Sequence, residues 1–563
     1  MAASRSTLLF LTSTALAGLA VGLYGLAETV RRTSPVAVYT LTPILSKGVW
    51  RVQLELTGVP PGRLALLPPD AEPVFASAAD TANHVAPMPF WWVQADGEGS
   101  VDFLYEVRPE DGSSRHALFF GSRLFAVPVL EGREDDPLSL ARGGARPGRI
   151  SRIEVRFVMP AGWDAYTPWG ETEARIVVPG GGLAVLREGI LAVGDFVPRR
   201  FREGRTDFLL AVRGTDPAGE DQIEELVRDC LRAHTASLGP LPYRRALIAV
   251  LHPFRGEQAN GRATANAVAL ELSSEPNALA WRSTWRVVAH ELFHFWNGGA
   301  LAYPLPDDRW FLEGASDYYG LRALAASGRL SLGDFADELA LAYDQLEGNR
   351  WADSSNVAVS RAAGDDAAAT TAAYAKGALC AWTVDLRLAP RGGLEGALRA
   401  STGASPARPI EAHLRSWSGA LLGGLLDSLS GPRFRGALAN ELRANGLRFE
   451  RVPAGRLTLG LRSFLPGTTE ILDLDPRGPA YRSGVRAGDR IVAVNGRPVR
   501  DLAALAEHLA DARGESLDLG LERESGVERL RVAPAPAYRR RVVPFVEPRL
   551  MAKTEPAPGR LAE

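Results

Sequence analysis

The residues best suited to chemistry lie in one short segment, His290-Glu291-Leu292-Phe293-His294. Neither proline nor glycine interrupts residues 277–297, so a helix is predicted there. Residues four apart share a helix face, so both imidazoles can bind one metal ion, and Glu291 can reach a water molecule on that metal. A helix with two ordinary hydrogen-bonded histidines is the alternative.

A third metal ligand is predicted at Glu313, in Trp310-Phe311-Leu312-Glu313-Gly314. A Gly298-Gly299 break and a proline-containing loop separate it from His294, which leaves room for a second helix to return past the first. Two histidines and one glutamate leave the fourth position of Zn²⁺ open for water, as a hydrolytic site requires. Asp317, one turn further, can accept a proton from the non-ligating nitrogen of a zinc histidine. A merely exposed acidic face is the alternative for Asp317.

The sequence pattern also predicts the secondary structure that positions these residues. The chain is predicted to be a multidomain α+β protein. Period-two alternation, as from Trp50 to Leu56, predicts an antiparallel β domain over 35–195. Residues 196–448 are mostly helical in pattern and contain the metal-ligating segment. Cys230 and Cys380 fall on apolar helical faces and are expected in the core rather than on the metal.

A compact β-rich module is predicted over 452–535, and a tail of loose order over 536–563. The run Gly488-Asp489-Arg490-Ile491, followed by Asn495-Gly496, resembles a bacterial PDZ domain, and Asn-Gly is a strong hairpin-turn signal. PDZ domains bind an extended peptide as an added strand and hold its C-terminal carboxylate on backbone N–H groups. Leu459, Gly460 and Leu461 are the candidate carboxylate loop, and a C-terminal peptide is the possible partner. A groove that is unused or filled by the chain itself is the alternative.

Three motifs together resemble the glycyl aminopeptidase family of gluzincin metallopeptidases. They are the zinc motif, Trp296-Asn297-Gly298 directly after it, and Trp310-x-x-Glu313-Gly-x-x-Asp317-Tyr-Tyr. The resemblance covers nearly the whole chain. It implies an N-terminal β domain, a thermolysin-like zinc peptidase domain and a C-terminal PDZ domain, in that order.

Two further segments bear on this resemblance. Tyr374-Ala375-Lys376-Gly377 matches a Tyr-x-Lys-Gly motif whose tyrosine, by the resemblance, points at the scissile carbonyl. A fixed phenol there would stabilise charge that develops only in the transition state. The family's Gly-Gly-x-Glu-His segment, whose glutamate would hold a free amino terminus, has no counterpart in 256–266, although Glu257 can substitute from a shifted position.

Composition limits the other possibilities. The 64 basic and 66 acidic residues leave a net charge of -2, which argues against nucleic acid as a partner. Residues 1–32 combine Arg5, an apolar run from Ser6 to Ala27, and Arg31-Arg32. This pattern predicts a signal peptide or an N-terminal membrane anchor, and an extracytoplasmic location, periplasmic or secreted.

The sequence therefore predicts a zinc metallopeptidase that uses Zn²⁺, with His290, His294 and Glu313 as ligands, Glu291 as general base and Tyr374 at the oxyanion. Aminopeptidase action on peptide or protein substrates is the first hypothesis. A zinc endopeptidase is an alternative because the Glu-His pair is missing. A degenerate peptidase that acts as a PDZ-mediated peptide-binding protein is the other.

Overall fold

The computed structural model describes residues 35–70, 73–76, 91–129, 150–172, 174–179, 182–254, 259–274, 278–301, 305–401, 409–464, 468–510, 516–523 and 525–544. One compact unit contains the described residues up to Phe201, with Phe208–Arg213 and Arg245–Ala249. The other contains Arg202–Asp207, Gly214–Arg244 and the described residues from Val250 onward. The predicted signal peptide or anchor, 1–32, lies outside the described residues. Within them, no helix combines the length and the apolar character needed to cross a bilayer.

The first unit is built from β-strands, as predicted. Its strands are β1 (Val36–Ile44), β2 (Val49–Thr57), β3 (Gly62–Leu67), β4 (Phe75–Ala76), β5 (Trp91–Ala95), β6 (Ser100–Val107), β7 (Asp111–Gly112), β8 (His116–Phe120), β9 (Val127–Val129), β10 (Arg152–Phe157), β11 (Asp164–Thr167), β12 (Gly170–Thr172), β13 (Arg175–Val178) and β14 (Ile190–Gly194). Two short helices accompany them, α1 (Gly121–Leu124) and α2 (Leu183–Arg187).

These strands form sheets in the orders β13-β10-β1-β2-β6-β4, β12-β11-β14-β8-β7 and β5-β3-β9. Alternation along β2 has the expected result, because Val52, Leu54 and Leu56 are fully buried while Arg51 is exposed. The expected antiparallel arrangement holds with one exception. Strands β1 and β10 run parallel, which the long chain between them permits.

A further sheet has the order β15-β16-β17-β19-β18. Its strands are β15 (Val197–Glu203), β16 (Thr206–Arg213), β17 (Arg245–Phe254), β18 (Asn260–Ala263) and β19 (Ala267–Ser273). β18 therefore lies at one edge, with β19 as its antiparallel neighbour.

Helices dominate the second unit up to residue 444. They are α3 (Pro217–Leu238), α4 (Ala278–Phe293), α5 (Arg309–Ala326), α6 (Leu332–Leu346), α7 (Asn356–Ala362), α8 (Ala367–Leu388), α9 (Gly393–Ser401), α10 (Ile410–Ser418), α11 (Gly423–Leu429) and α12 (Phe434–Ala444). Cys230 on α3 and Cys380 on α8 are buried and free, as expected of core residues.

Helix α3 supports α4, the helix that carries the predicted metal ligands. Asp216 begins α3 by accepting a hydrogen bond from the Gly219 N–H, which satisfies one of the free donors at a helix start. Further along, buried His234 donates from Nε2 to the Ala289 carbonyl, 3.1 Å away. The Trp296 indole donates to the Gly239 carbonyl at 2.9 Å, which fixes the end of α4.

The C-terminal module has its own apolar core, which includes Ile471, Ile491 and Leu519. Asn495 and Gly496 have the positive φ angles, 52° and 75°, that their tight turn requires. The elements are β20 (Leu447–Thr458), β21 (Leu461–Phe464), β22 (Ile471–Leu474), α13 (Pro479–Arg482), β23 (Arg490–Val494), β24 (Arg497–Pro498), α14 (Leu502–Ala510), β25 (Leu517–Arg523), β26 (Gly526–Val532) and β27 (Ala535–Pro544).

The predicted tail is wrong for residues 536–544. They belong to β27, which pairs antiparallel with β20 from Leu447–Pro544 to Thr458–Ala535. Its arginines have partners on α6, since Arg540 Nη1 lies 2.6 Å from Asp344 Oδ1 and 2.7 Å from Glu347 Oε2. The part of the chain predicted to be loosely ordered is thus held by strand pairing and by carboxylates from elsewhere in the chain.

The burial of His234 predicts a pH dependence of stability. Burial lowers the pKa of His234 to about 4, against about 6.5 in an unfolded chain. Between these pH values the unfolded chain binds a proton on His234 that the folded chain does not. The contribution of His234 to the free energy of unfolding is therefore present above about pH 6.5 and decreases as the pH falls towards about 4. From pH 7 to pH 5 the metal-free wild type should lose about 2 kcal/mol more than His234→Gln, which keeps a donor for Ala289. Urea unfolding at both pH values measures this, and equal losses would contradict it.

Candidate active site

The three predicted metal ligands converge, and their donor atoms lie within 4.8 Å of one another. The two Nε2 atoms of His290 and His294 are 3.1 Å apart. Glu313 Oε2 lies 3.4 Å from the Nε2 of His290 and 3.7 Å from that of His294. A single ion can therefore contact all three.

These separations fit zinc. Bonds of about 2.0–2.2 Å to a tetrahedral Zn²⁺ place neighbouring ligand atoms about 3.4 Å apart, close to the three distances found. Two imidazoles with one carboxylate are also a donor set that zinc prefers when it keeps one position for water.

The helix predicted over 277–297 ends earlier than expected. α4 stops at Phe293, and His294 lies in the tightened turn that follows, where its N–H donates to Glu291 O at 3.2 Å. Gly298, with φ of 108°, then turns the chain away. The histidines still meet, because this turn keeps His294 close to the face that carries His290.

Each histidine is oriented by a partner on its other ring nitrogen. His290 Nδ1 lies 2.8 Å from Asp317 Oδ1, the contact proposed from the sequence. His294 Nδ1 lies 3.0 Å from the Asn297 carbonyl and 3.3 Å from Ser316 Oγ. Donation from Nδ1 leaves the Nε2 lone pair of each ring directed at the metal position.

Asn297 and Ser316 were not predicted as site residues. The Asn297 amide donates to Leu312 O at 2.8 Å and to Ser316 Oγ at 3.0 Å, so it ties the end of α4 to α5. Asn297 lies in the Trp296-Asn297-Gly298 motif and Ser316 in the motif that begins at Trp310. Their presence in these motifs was the one sequence signal that could have indicated a role at the site. Their partners come from a different helix, which spacing along the chain does not reveal.

Without a metal, the histidines and the carboxylates of the site form hydrogen bonds and ion pairs with one another. Burial alone would lower the pKa of His290, but hydrogen bonds to Asp317 and Glu313 raise it well above its usual value. Burial would raise the pKa of Glu313, but hydrogen bonds from both histidines hold it well below its usual value. Zinc must therefore displace a proton, so low pH should weaken metal binding.

Glu291, the predicted general base, lies directly beneath the edge strand β18. A Cβ atom added to Gly261 would lie 2.3 Å from Glu291 Cγ and 2.9 Å from its Oε1, so any larger residue must displace Glu291 or the strand. Burial raises the pKa of Glu291, although the neighbouring histidines oppose the shift. A carboxyl group moved in this direction is better matched to proton transfer near neutral pH. Residues 256–266, which include Gly261, were singled out from the sequence, but this contact was not predicted.

Tyr374 reaches the site from α8. Its ring stacks on His290 with centroids 5.7 Å apart, and its hydroxyl is hydrogen-bonded to Glu313. Burial, followed by the charge of Glu313, raises the pKa of Tyr374, so the phenol remains a donor. Lys376, in the same motif, is buried and donates to the Ser354 carbonyl at 2.6 Å.

The substrate side of the cleft lacks an acidic side chain in the described part of the segment where the family resemblance expects one. Residues 259–266, which include β18, contain no acidic side chain. Glu257, the possible substitute, lies outside the described residues. No strand of the described chain pairs with the outer edge of β18.

In the C-terminal module, Leu459 and Gly460 form the turn between β20 and β21, and Leu461 is the first residue of β21. Gly460 has φ of 81°, and a Cβ there would lie 2.9 Å from Gly478 Cα. The carbonyls of Leu459 and Gly460 accept hydrogen bonds from Ala480 and Asp475. The turn is therefore rigid, and the binding role predicted for it remains a prediction.

Comparison with known proteins supports the same architecture. A family model described as a PDZ domain matches residues 470–523. The crystal structure of an aminopeptidase N family protein from Idiomarina loihiensis superposes with a TM-score of 0.69 at 18% identity, covering 90% of this chain and 98% of that one. The chain thus has the fold of this class of zinc aminopeptidases, with a PDZ domain at its C-terminal side, which confirms the predicted fold.

Two more distant likenesses were found. A putative zinc metalloprotease of Lactococcus lactis, LL2128, is 32% identical over 92 residues, which are 15% of this chain and 22% of that protein. The chain thus spans only about a fifth of that relative. A variant of the M1 zinc metallopeptidase from Deinococcus radiodurans, bound to a Tyr-Ser-Ala substrate, gives a TM-score of 0.45 at 16% identity, with 71% of this chain and 94% of that one covered.

The close contact of Gly261 with Glu291 predicts a selective defect in Gly261→Ala. The added methyl group must push Glu291 or β18 aside, and displacements of about 1 Å near reacting groups can lower turnover about 100-fold. We expect kcat for peptide hydrolysis to fall at least about 10-fold while bound zinc, measured by atomic absorption, stays stoichiometric. Gly436→Ala on α12 is the matched control, since a Cβ there meets no atom within 4 Å. Equal kcat in the two variants would contradict the prediction.

Proposed function

We propose that the chain is a zinc-dependent metallopeptidase that hydrolyses peptide bonds, acting first of all as an aminopeptidase. The observation that carries the proposal is the convergence of His290, His294 and Glu313 at zinc-like separations, with Glu291 beside them. The aminopeptidase fold supports it independently.

The residues of the chain divide the reaction among them. When bound, Zn²⁺ supplies Lewis-acid activation of water and of the scissile carbonyl. Glu291 accepts the proton of the attacking water and delivers it to the leaving amine. Tyr374 donates a hydrogen bond to the carbonyl oxygen as negative charge develops on it. Asp317 holds the His290 ring in its binding orientation.

The edge strand β18 favours an extended peptide as substrate. As the last strand of its sheet, β18 can pair with a peptide backbone in the way that an added strand does at a sheet edge. Because Gly261 lies against Glu291, a peptide paired there would pass close to the general base.

Selection of a free amino terminus places a further requirement on the cleft. An ammonium group needs a carboxylate partner, and 259–266 offers none. A zinc endopeptidase is therefore the second candidate function. The binding-protein alternative is disfavoured because every proposed ligand, the base and the tyrosine are present.

Glu291→Gln tests the chemical step. The amide cannot accept the water proton, so kcat should fall by about three orders of magnitude or more, whereas zinc content and KM should hardly change. Glu313→Gln is the contrasting variant, because it should lose zinc as well as activity. Turnover undiminished in zinc-loaded Glu291→Gln would remove the mechanism.

The same assay separates the alternatives when peptides with free and N-acetylated ends are compared. An aminopeptidase cleaves only the unblocked series, and an endopeptidase cleaves acetylated peptides. Failure of zinc-loaded wild type to cleave any member of a broad peptide set would favour the binding protein.

We further propose that the PDZ domain binds the C-terminus of a peptide or protein partner. β21 pairs only with β22 among the described strands, so its other edge is available to an added strand. Leu461 and Phe464 of β21, with Leu502 and Leu509 of α14, are partly buried and line the same apolar core. Fluorescence anisotropy should detect peptides with an apolar last residue and a free carboxylate, at least about 10-fold tighter than their C-terminal amides. Equal affinity for acid and amide would contradict this mode.

The location proposed for the chain is extracytoplasmic, with residues 1–32 as a cleaved signal or a retained membrane tether. The support is the basic start and apolar run in the sequence. Cell fractionation with N-terminal sequencing of the recovered protein tests both parts, and an intact chain in the cytoplasm would overturn them.

A further inference from the structure

Helices α5 and α8 face each other along two matching stripes. Gly314, Tyr318 and Arg322 recur every four residues on α5, so they share one face, whereas Glu313 and Asp317 face the metal ligands. On α8 the opposing residues are Gly377 and, eight positions later, Asp385. Gly314 meets Gly377, and Tyr318 and Arg322 meet Asp385, so the two helices run parallel.

The glycine end of this interface brings the helices close. A Cβ on Gly377 would lie 1.9 Å from the Trp310 carbonyl oxygen, and one on Gly314 would lie 2.3 Å from Gly377 Cα. Such a contact forces close approach but has no directional bond. It opposes slippage of α8 against α5 only sterically, and the hydrogen bonds that lock the axial register come from further along the two helices.

Asp385 supplies the directional contacts. Its carboxylate is fully buried, and Oδ2 accepts from Tyr318 Oη at 2.5 Å and from Arg322 Nη1 at 3.3 Å. Oδ1 accepts from the Leu394 N–H at 2.7 Å. The Arg322 guanidinium also reaches Glu395 Oε1 at 3.2 Å, so its charge is balanced within the core.

The position of Asp385 on α8 links these contacts to the active site. Asp385 follows Tyr374 by eleven residues, which at 3.6 residues per turn is about 20° beyond three full turns. Both side chains therefore leave α8 on the same face, one towards the metal ligands and the other towards Tyr318 and Arg322. A slip of one residue between α5 and α8 would move Tyr374 by about 1.5 Å relative to Glu313.

We propose that Asp385 is a positioning residue for hydrolysis: through Tyr318 and Arg322 it fixes the register of α8, and so places the Tyr374 hydroxyl where the oxyanion forms. The role rests on the proposed function, because it acts through the tyrosine of that site. Asp385 itself touches neither substrate nor metal. Its effect belongs to the transition state, in which the phenol is used.

The test is Asp385→Asn, which keeps the shape of the side chain and removes the charge that Arg322 and Tyr318 share. We expect kcat to fall about 10- to 100-fold with KM and zinc content unchanged, as displacement of a donor by about 1 Å predicts. In a Tyr374→Phe background the same substitution should cause no further loss, because the group it positions is already absent. Additive losses, or an unchanged kcat in Asp385→Asn, would overturn the proposal.

Two further variants guard against a general loss of stability. Tyr318→Phe removes one hydrogen bond to Asp385 and leaves the buried charges in place. Its kcat should fall less than that of Asp385→Asn, and it too should cause no further loss in a Tyr374→Phe background. Glu441→Gln weakens a second, partly buried ion pair of α8, in which Arg387 Nε lies 2.8 Å from Glu441 Oε2, and is expected to lower the melting temperature without changing kcat. If Glu441→Gln lowered kcat as much as Asp385→Asn, positioning by Asp385 would be refuted.

Crystal structures of the zinc-loaded wild type and Asp385→Asn make the test independent of activity. With α4 and α5 superposed, Tyr374 Oη should shift by about 1 Å or more in the variant. An unmoved Tyr374 would overturn the positioning role even if turnover fell. Absence of any peptidase activity in the wild type would instead count against the proposed function, and the structural comparison would still decide the role of Asp385.

Discussion

The structure depends on one geometric constraint: donor atoms from α5 and from the C-terminal end of α4 must converge to the separation of about 3.4 Å that the ligands of one tetrahedral zinc ion have. Small residues let the elements around the metal position approach one another. Gly320 of α5 faces α4, where a Cβ would lie 3.1 Å from the His290 backbone nitrogen. Gly314 and Gly377 meet where α5 packs on α8, and Gly261 of β18 lies over Glu291. The small residues around the site are therefore as necessary to it as the ligands.

Close approach would be of little use if the groups could then rotate or slide. Rotation is limited by hydrogen bonds that the second nitrogen of each imidazole donates, from His290 to Asp317 and from His294 to the Asn297 carbonyl and Ser316 Oγ. Buried polar groups of this kind are costly unless each is satisfied, and here they satisfy one another. The site is thus held by a connected set of hydrogen bonds that extends from the ligands into the helix core.

Sequence patterns could predict the parts of the site that depend on spacing along one helix. His290, Glu291 and His294 are related by a helical turn, and Glu313 and Asp317 by another, so their shared faces follow from periodicity. The pairing of Gly261 with Glu291, of Asn297 with Ser316, and of Asp385 with Arg322 depends on tertiary packing, which no local period encodes. The same reason explains the error at residues 536–544, which were predicted to be loosely ordered but form β27, with Arg540 bound to Asp344 and Glu347.

The ribbon of β20 and β27 has a mechanical consequence. Because Leu447 lies opposite Pro544, the chain leaves the helical region and returns to it at the same place, so the PDZ domain is attached by two hydrogen-bonded strands. A single linker lets a domain swing and twist freely, whereas a paired ribbon resists torsion. Phe449 packs against Tyr343 and Trp382 at the base of this ribbon, with ring centroids 4.6 and 6.4 Å away. The attachment therefore behaves more like a stiff stalk than a tether, and a protein held in the PDZ groove would be presented at a restricted set of orientations.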